Sequence, residues 1–286
     1  MKKIITLVLA AAMLATMTFV FASCDSDGMT YKIGVQTATT AQYFVDGDAD
    51  WGFDGIDGFT SAQYNTGGLA VNDMKNGNVD FCMIDEQPAK ALAKNIPGVK
   101  VIDIPLTVEE YAFGVDKAQP ALLAAVNTVL AEMKSNGTLE AIVTAYATGE
   151  GIKPITPAKF DASKADEQLV IATNAAFAPF EYKEGDQFAG IDIEIMVYIA
   201  DKLGLELVIM DMDFEAVISA VGKNNVDMAV SGLTVTEKRK ESVNFTDTYY
   251  NAAQMLIVKE TETAFDACQT DADVLAVLAE LAGKAK

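Results

Sequence analysis

The sequence predicts an α/β protein made of two units. Strand-like apolar runs alternate with helical patterns along most of the chain, the order expected of strands joined by packed helices. Residues 148–167 break the alternation. There Gly149, Gly151, Pro154 and Pro157 stand among polar residues, as in a linker. With 286 residues, 51% of them apolar, the chain is long enough for one large core or two moderate ones.

The elements follow in order. Lys2 and Lys3 open a segment that is then uncharged and mostly apolar to Ser23. Phe21-Ala22-Ser23-Cys24 resembles a bacterial lipobox, with phenylalanine where a leucine-like residue is usual. Residues 1–23 therefore read as a signal peptide, Cys24 as the lipid-bearing residue and 24–30 as a spacer. An uncleaved anchor is the alternative, since about twenty residues can span a bilayer.

Residues 32–36 read as a strand, 37–40 as a polar loop and 42–45 as a helix. The acidic, glycine-rich run DGDADWGFDGIDGF follows; it lacks the ligand order of a calcium loop and reads as a surface segment. Strands at 61–64, 79–84, 100–104 and 109–115 alternate with helices at 69–76 and 86–94. Helices at 121–134 and 139–147 close the first run. The second run has a strand at 169–173, the loop NAAFAPFE, a helix at 192–203 and a strand at 206–210. A helix at 214–221 and a strand at 226–230 follow, then a strand at 254–258 and an amphipathic helix at 273–281.

Composition removes several function classes. There is no histidine, which rules out His-based triads, His-ligated zinc and imidazole switching. A net charge of -20, spread along the chain, argues against nucleic-acid binding. No residue set calls for a metal or a cofactor. Beyond Cys24, Cys82 lies in an apolar run and reads as a buried thiol; a disulfide to Cys268 stays open.

The richest chemistry lies in residues 226–250, VDMAVSGLTVTEKRKESVNFTDTYY. An apolar strand opens into Ser231, Gly232 and Thr234; Thr236 follows as a helix N-cap and Arg239 just beyond it. A guanidinium fork with small hydroxyls and a backbone N–H is what an α-carboxylate needs. A capped surface helix with a solvated arginine is the alternative. A weak repeat supplies an opposing wall. KNGNVDF at 75–81 echoes KNNVDM at 223–228, and Asp85 stands six residues past Val79 as Gly232 stands six past Val226. Ligands of open parallel sheets sit outside the strands' carboxyl ends, so two such ends would face across a cleft. Asp85 could equally be only the N-cap of the helix at Glu86.

The SGLTVTEKR segment, with Phe245, Thr246, Tyr249 and Tyr250 behind it, resembles the ligand loop of family 3 extracellular solute-binding proteins. IGVQTATTAQYFV, NGNVDFCMIDEQPA, ATNAAFAPFEY and MDFEAVI are similar to other segments of that family, with Ala38 in place of a usual glycine. The resemblance implies a two-lobed, type II periplasmic-binding-protein-like α/β fold without catalysis. It implies that Arg239, Thr234, Gly232 and Thr40 hold an amino acid's carboxylate, and Ser231 and Asp85 its ammonium. It also implies that Phe177 and Phe214 sandwich the side chain, with Gln36 and Asn174 at its end. Asn174 suggests a neutral polar ligand rather than a cation.

The order of segments departs from the family. The part like 169–259 normally comes first and here comes last, so the chain reads as circularly permuted. A piece spanning two tandem copies is the alternative. The expected division is lobe 2 from 31–107 and 259–286, and lobe 1 from 108–258 with the joining stretch 148–167. Hinge strands are expected near 109–115 and 254–258.

The implied function is a lipid-anchored, monomeric protein outside the bacterial cell membrane. It would capture a free amino acid and hand it to the permease subunits of an ABC importer. The alternatives are an amino-acid-converting enzyme of dehydratase type on the same scaffold, or a sensor or docking lipoprotein that transports nothing.

Overall fold

A computed structural model describes residues 31–223 and 225–284. The expected signal peptide, Cys24 and the spacer lie outside these residues. The described chain forms two five-stranded sheets, each covered by helices on both faces. The lobe built on the first sheet is the first lobe below and that on the second the second lobe, the reverse of the numbering in the expected division.

In the first sheet the order is Phe59–Tyr64, Tyr31–Gln36, Phe81–Asp85, Gln254–Lys259, Val99–Ile102. The first three strands run parallel, and Gln254–Lys259 is antiparallel to both neighbours. Period-two alternation explains the double cover. Ile33, Val35, Phe81, Met83, Leu256 and Val258 face one core, shared with Val274 and Leu278 of the C-terminal helix Asp271–Lys284. Cys82, Ile84, Met255 and Ile257 face the other, under helices Gly67–Asn76 and Glu86–Asn95. Gly34 lets the helix approach closely on that face, since a Cβ there would meet Cys82 Sγ at 3.1 Å and Ala70 Cβ at 3.2 Å.

The second sheet has the order Glu206–Asp211, Gln168–Thr173, Met228–Ala229, Gly114–Val115, Asn244–Phe245. Its first three strands are again parallel, and Gly114–Val115 enters antiparallel to both neighbours. Helices Pro120–Ser135, Thr138–Thr148 and Ile191–Leu203 share the core of Leu169 and Ile171. Helix Phe214–Ala220 packs on the face of Val170 and Ala172. A small antiparallel sheet of Ala176–Phe177, Glu181–Glu184 and Gln187–Ala189 stands where the sequence suggested only a loop.

The chain passes between the sheets through an antiparallel ribbon, Glu109–Tyr111 against Tyr250–Ala252. The strand expected over 109–115 is thus two strands, one in the ribbon and one in the second sheet. The second crossing lies at 250–252, ahead of the expected 254–258. The reason is burial: Gln254–Lys259 is apolar and buried along almost its whole length, as an inner strand of the first sheet must be.

The stretch 148–167 does not hang free. Ile155 bridges to Phe188 and Ala158 to Val208, so it lies along the second lobe. The end of the C-terminal helix meets the start of the first strand. Ala282 packs against Gly58, where a Cβ would come within 2.4 Å of it, and Tyr31 N donates to Gly58 O at 3.2 Å. Cys82 and Cys268 are both free thiols, and burial pushes the Cys82 thiol up. Among the described residues no helix is long and apolar enough to cross a membrane.

Candidate functional site

The two sheets present their loops to each other at one cleft. Gln36, Thr40 and Asp85 line it from the first lobe; Asn174, Phe177, Phe214, Gly232, Thr234 and Arg239 line it from the second. Nine of the ten ligand residues expected from sequence therefore meet in one cavity, joined by Thr39. A roomier groove at the N-terminal ends of the second lobe's strands is lined by Asp116, Phe160 and Asp227, away from all of these.

Arg239 is placed by its local sequence. Thr236 accepts a hydrogen bond from Arg239 N at 3.1 Å and starts the short helix Glu237–Lys240. That cap turns the side chain inward, where only 6% of the residue stays exposed. The guanidinium donates to Thr234 O at 2.9 Å and, across the cleft, to Ala38 O at 3.3 Å. Among the described residues it forms no ion pair with a carboxylate, which leaves it a buried cation bonded only to carbonyls. Burial lowers its pKa, and Glu109 and Asp85 act against that from a distance.

Asp85 is the complement. It ends the strand Phe81–Asp85 and occupies the N-cap of the next helix, yet its carboxylate makes no capping bond. It accepts from Tyr111 OH at 2.6 Å and from Gln254 Nε2 at 3.0 Å. No cation pairs with it among the described residues. Burial, with the charge of Glu109, pushes it up to about 7. An isolated buried charge is costly, so each of these groups calls for an ion of opposite sign.

Glu109 links the walls. Its Oε2 accepts from Thr40 Oγ1 at 3.0 Å and from Thr234 Oγ1, and its Oε1 from Thr107 Oγ1 at 2.7 Å. Gln36 Nε2 donates to Asn174 Oδ1 at 2.9 Å, again from lobe to lobe. The cleft is closed on itself, its hydroxyls and amides engaged with one another.

Two expected ligand groups point elsewhere. Ser231 Oγ donates to Glu181 Oε1 at 2.7 Å and accepts from Asn174 N at 3.1 Å, and the residue is 1% exposed. Gly232 N donates to Asp192 Oδ2 at 2.9 Å. Gly232 still shapes the cavity, because at φ 49° a Cβ would meet the Phe177 ring at 2.8 Å. Behind the loop Glu181 and Asp192 are both fully buried. Burial raises both carboxyls, Asp192 to about 7 and Glu181, pushed further by Asp192, well above the usual range. Tyr249 OH also donates to Asp192.

Sequence reasoning missed Glu109, Tyr111, Gln254, Glu181 and Asp192. The signals were faint. Gln254 is a polar start to an apolar strand, Glu109 is one of two adjacent acids before a tyrosine, and Asp192 opens a helix where acids are common.

The described residues thus form a two-lobed α/β fold with one oppositely charged cleft. Residues 169–281 match the model of the bacterial extracellular solute-binding proteins, family 3. It is 43% identical over 94 residues to the arginine-binding extracellular protein ArtP of Bacillus subtilis (strain 168), covering 33% of this chain and 37% of that protein. It is 33% identical over 97 residues to the L-arginine-binding protein of Pseudomonas aeruginosa, covering 34% and 38%. Among solved structures it is similar to the arginine-bound form of domain 1 from TmArgBP, at 30% identity and a TM-score of 0.30, covering 43% of this chain and 99% of that one. The matched stretch spans less than two fifths of the length of these two curated relatives.

Proposed function

We propose that this protein captures a free amino acid between its lobes and delivers it to the permease subunits of an ABC importer. One observation carries the reading. A buried guanidinium without an anion, Arg239, and a buried carboxylate without a cation, Asp85, line the same interlobe cavity. A zwitterion brings the charge that each lacks. In this reading Arg239, with Thr234 and Thr40, holds the carboxylate, Asp85 holds the ammonium, and Phe177 and Phe214 flank the side chain. Thr40 and Thr234 are released from Glu109 when the ligand enters. Ser231 and Gly232 act from behind, by fixing the loop through Glu181 and Asp192.

The carboxamides of Asn174 and Gln36 suit a neutral polar side chain. A basic ligand is the second reading. It is favoured by the excess of carboxylates around the cleft, Asp85 and Glu109 against one Arg239, and by relatives named for arginine binding. The lobes close by bending at the ribbon of 109–111 and 250–252. Cys24 carries the lipid anchor, and the protein works as a monomer outside the cell membrane.

We also infer that the segment order is a circular permutation of the family's. The contact of Ala282 with Gly58, beside Tyr31, supports this, because the ends that relatives would join lie together.

Titration calorimetry against the common amino acids tests the function, with native mass spectrometry of the purified protein for a retained ligand. Binding of one amino acid or a narrow group is expected. Binding of none would leave the docking or sensor alternative, and recovery of a chemically altered amino acid would make the protein an enzyme.

A further inference from the structure

The acidic, glycine-rich run beyond Asp46 is a built arm. Asp48 and Phe53 bridge each other, with Asp48 N donating to Phe53 O at 2.9 Å. Ile56 N returns to Val45 O at 3.0 Å. Gly47 and Gly55, both at positive φ, cross so closely that a Cβ on either would meet the other's strand within 3.1 Å. This closure projects Trp51, the single tryptophan of the chain, from the first lobe.

Trp51 stacks on Tyr43, with ring centroids 4.0 Å apart and planes at 13°. The Arg239 guanidinium stands 5.2 Å from the centre of the Trp51 ring and 5.5 Å from that of Phe214. An aromatic face from each lobe therefore brackets the one buried cation of the cleft. The same arm brings Asp50 within 3.8 Å of Lys238, the residue before Arg239, and Arg239 donates to Ala38 of the first lobe.

We propose that the 46–58 arm closes the ligand cleft and that Trp51 is the positioning residue for Arg239. The part concerning ligand affinity rests on the amino-acid reading above. Attraction to a ring face from each lobe holds the guanidinium at the cleft, where it also donates to the carbonyls of Thr234 and Ala38. When the lobes part, the arm and Trp51 leave with the first lobe while Arg239 and Phe214 stay with the second. The bracket exists only in the closed form. It gives closure a free-energy term at the residue that grips the carboxylate.

The single tryptophan makes this measurable on the whole protein. Without ligand, R239A should raise acrylamide quenching of Trp51 emission about twofold or more, and R239K should do so less; melting curves establish that both fold. With the amino acid found by calorimetry, Trp51 emission should change and saturate at the calorimetric Kd. W51A should weaken binding about tenfold, while W51F, which keeps a ring over the guanidinium, should stay within about threefold. Quenching that R239A and R239K leave unchanged overturns the bracket. Equal affinity of W51A and the parent overturns the positioning role. Should no amino acid bind, the amino-acid reading fails by itself, and the quenching result alone decides the bracket.

Discussion

At the scale of single residues, the chemistry of the cleft is that of unpaired charge. Arg239 is buried and, among the described residues, its guanidinium donates to the carbonyls of Thr234 and Ala38, while the Asp85 carboxylate accepts from the side chains of Tyr111 and Gln254. In the proposed function the ligand's two charged groups complete both. R239A should therefore weaken amino-acid binding about 100-fold or more by calorimetry, the usual loss for one partner of a buried charge pair. The pH dependence follows from Asp85. Burial and Glu109 push it up to about 7, and only its ionised form can pair with an ammonium. Affinity should hold above about pH 7 and fall below it, approaching about tenfold per pH unit, as titrations between pH 5 and 8 would reveal. Much of this was legible in the sequence. The spacing of Ser231, Gly232, Thr234, Thr236 and Arg239 marked the loop that lines one wall of the cleft, and the echo at Asp85 marked the opposite wall. Glu109 was not legible, because nothing local tells a buried acid from a solvated one. Its three hydroxyl partners come from three separate segments.

At the scale of elements, the ligand loop is only as firm as what lies beneath it. Ser231 and Gly232 are bonded to Glu181 and Asp192, two acids in one buried site. Their folded-state values are raised, so the folded protein keeps protons that the unfolded chain has already released above about pH 4. That stability is full at acidic pH. It declines as pH rises from the ordinary carboxylate range through about 7, where Asp192 ionises in the folded state. Glu181 Oε2 has no hydrogen-bond partner among the described residues. E181Q keeps the acceptor for Ser231 and removes one of the two charges, so it should flatten the fall in Tm between pH 5 and 8 by about a few °C, read by thermal melts. The helices and strands around this site were well marked by periodicity. The small sheet of 176–189 was not, since each of its strands is too short to show alternation.

At the scale of the whole molecule, the first lobe is assembled from both ends of the described chain. The inner strand Gln254–Lys259 and the helix Asp271–Lys284 complete a sheet begun at Tyr31. Native contacts do not depend on chain order, and the helix end already touches Gly58 beside the first strand. A chain reopened within 148–167, with residue 284 linked to residue 31, should therefore fold and, on the proposed function, bind an amino acid within about threefold of the parent by calorimetry. A relinked chain that failed to fold would show the present order to be required and would count against permutation.

The sequence by itself determined the alternation of strands and helices, the break at 148–167, and the residues that could grip a zwitterion. Those are local properties, written in periodicity, capping and side-chain type. Only the tertiary structure decided which of those groups face the cleft. Ser231 and the N–H of Gly232 turn to a buried acid pair, the run beyond Asp46 becomes an arm that lays Trp51 on Arg239, and Glu109 ties the hydroxyls of both lobes together. These follow from burial and from partners brought together across more than a hundred residues of chain, such as Gln36 with Asn174 and Thr40 with Gln254. Such pairing follows from closure of the whole chain, and no local stretch of sequence carries it.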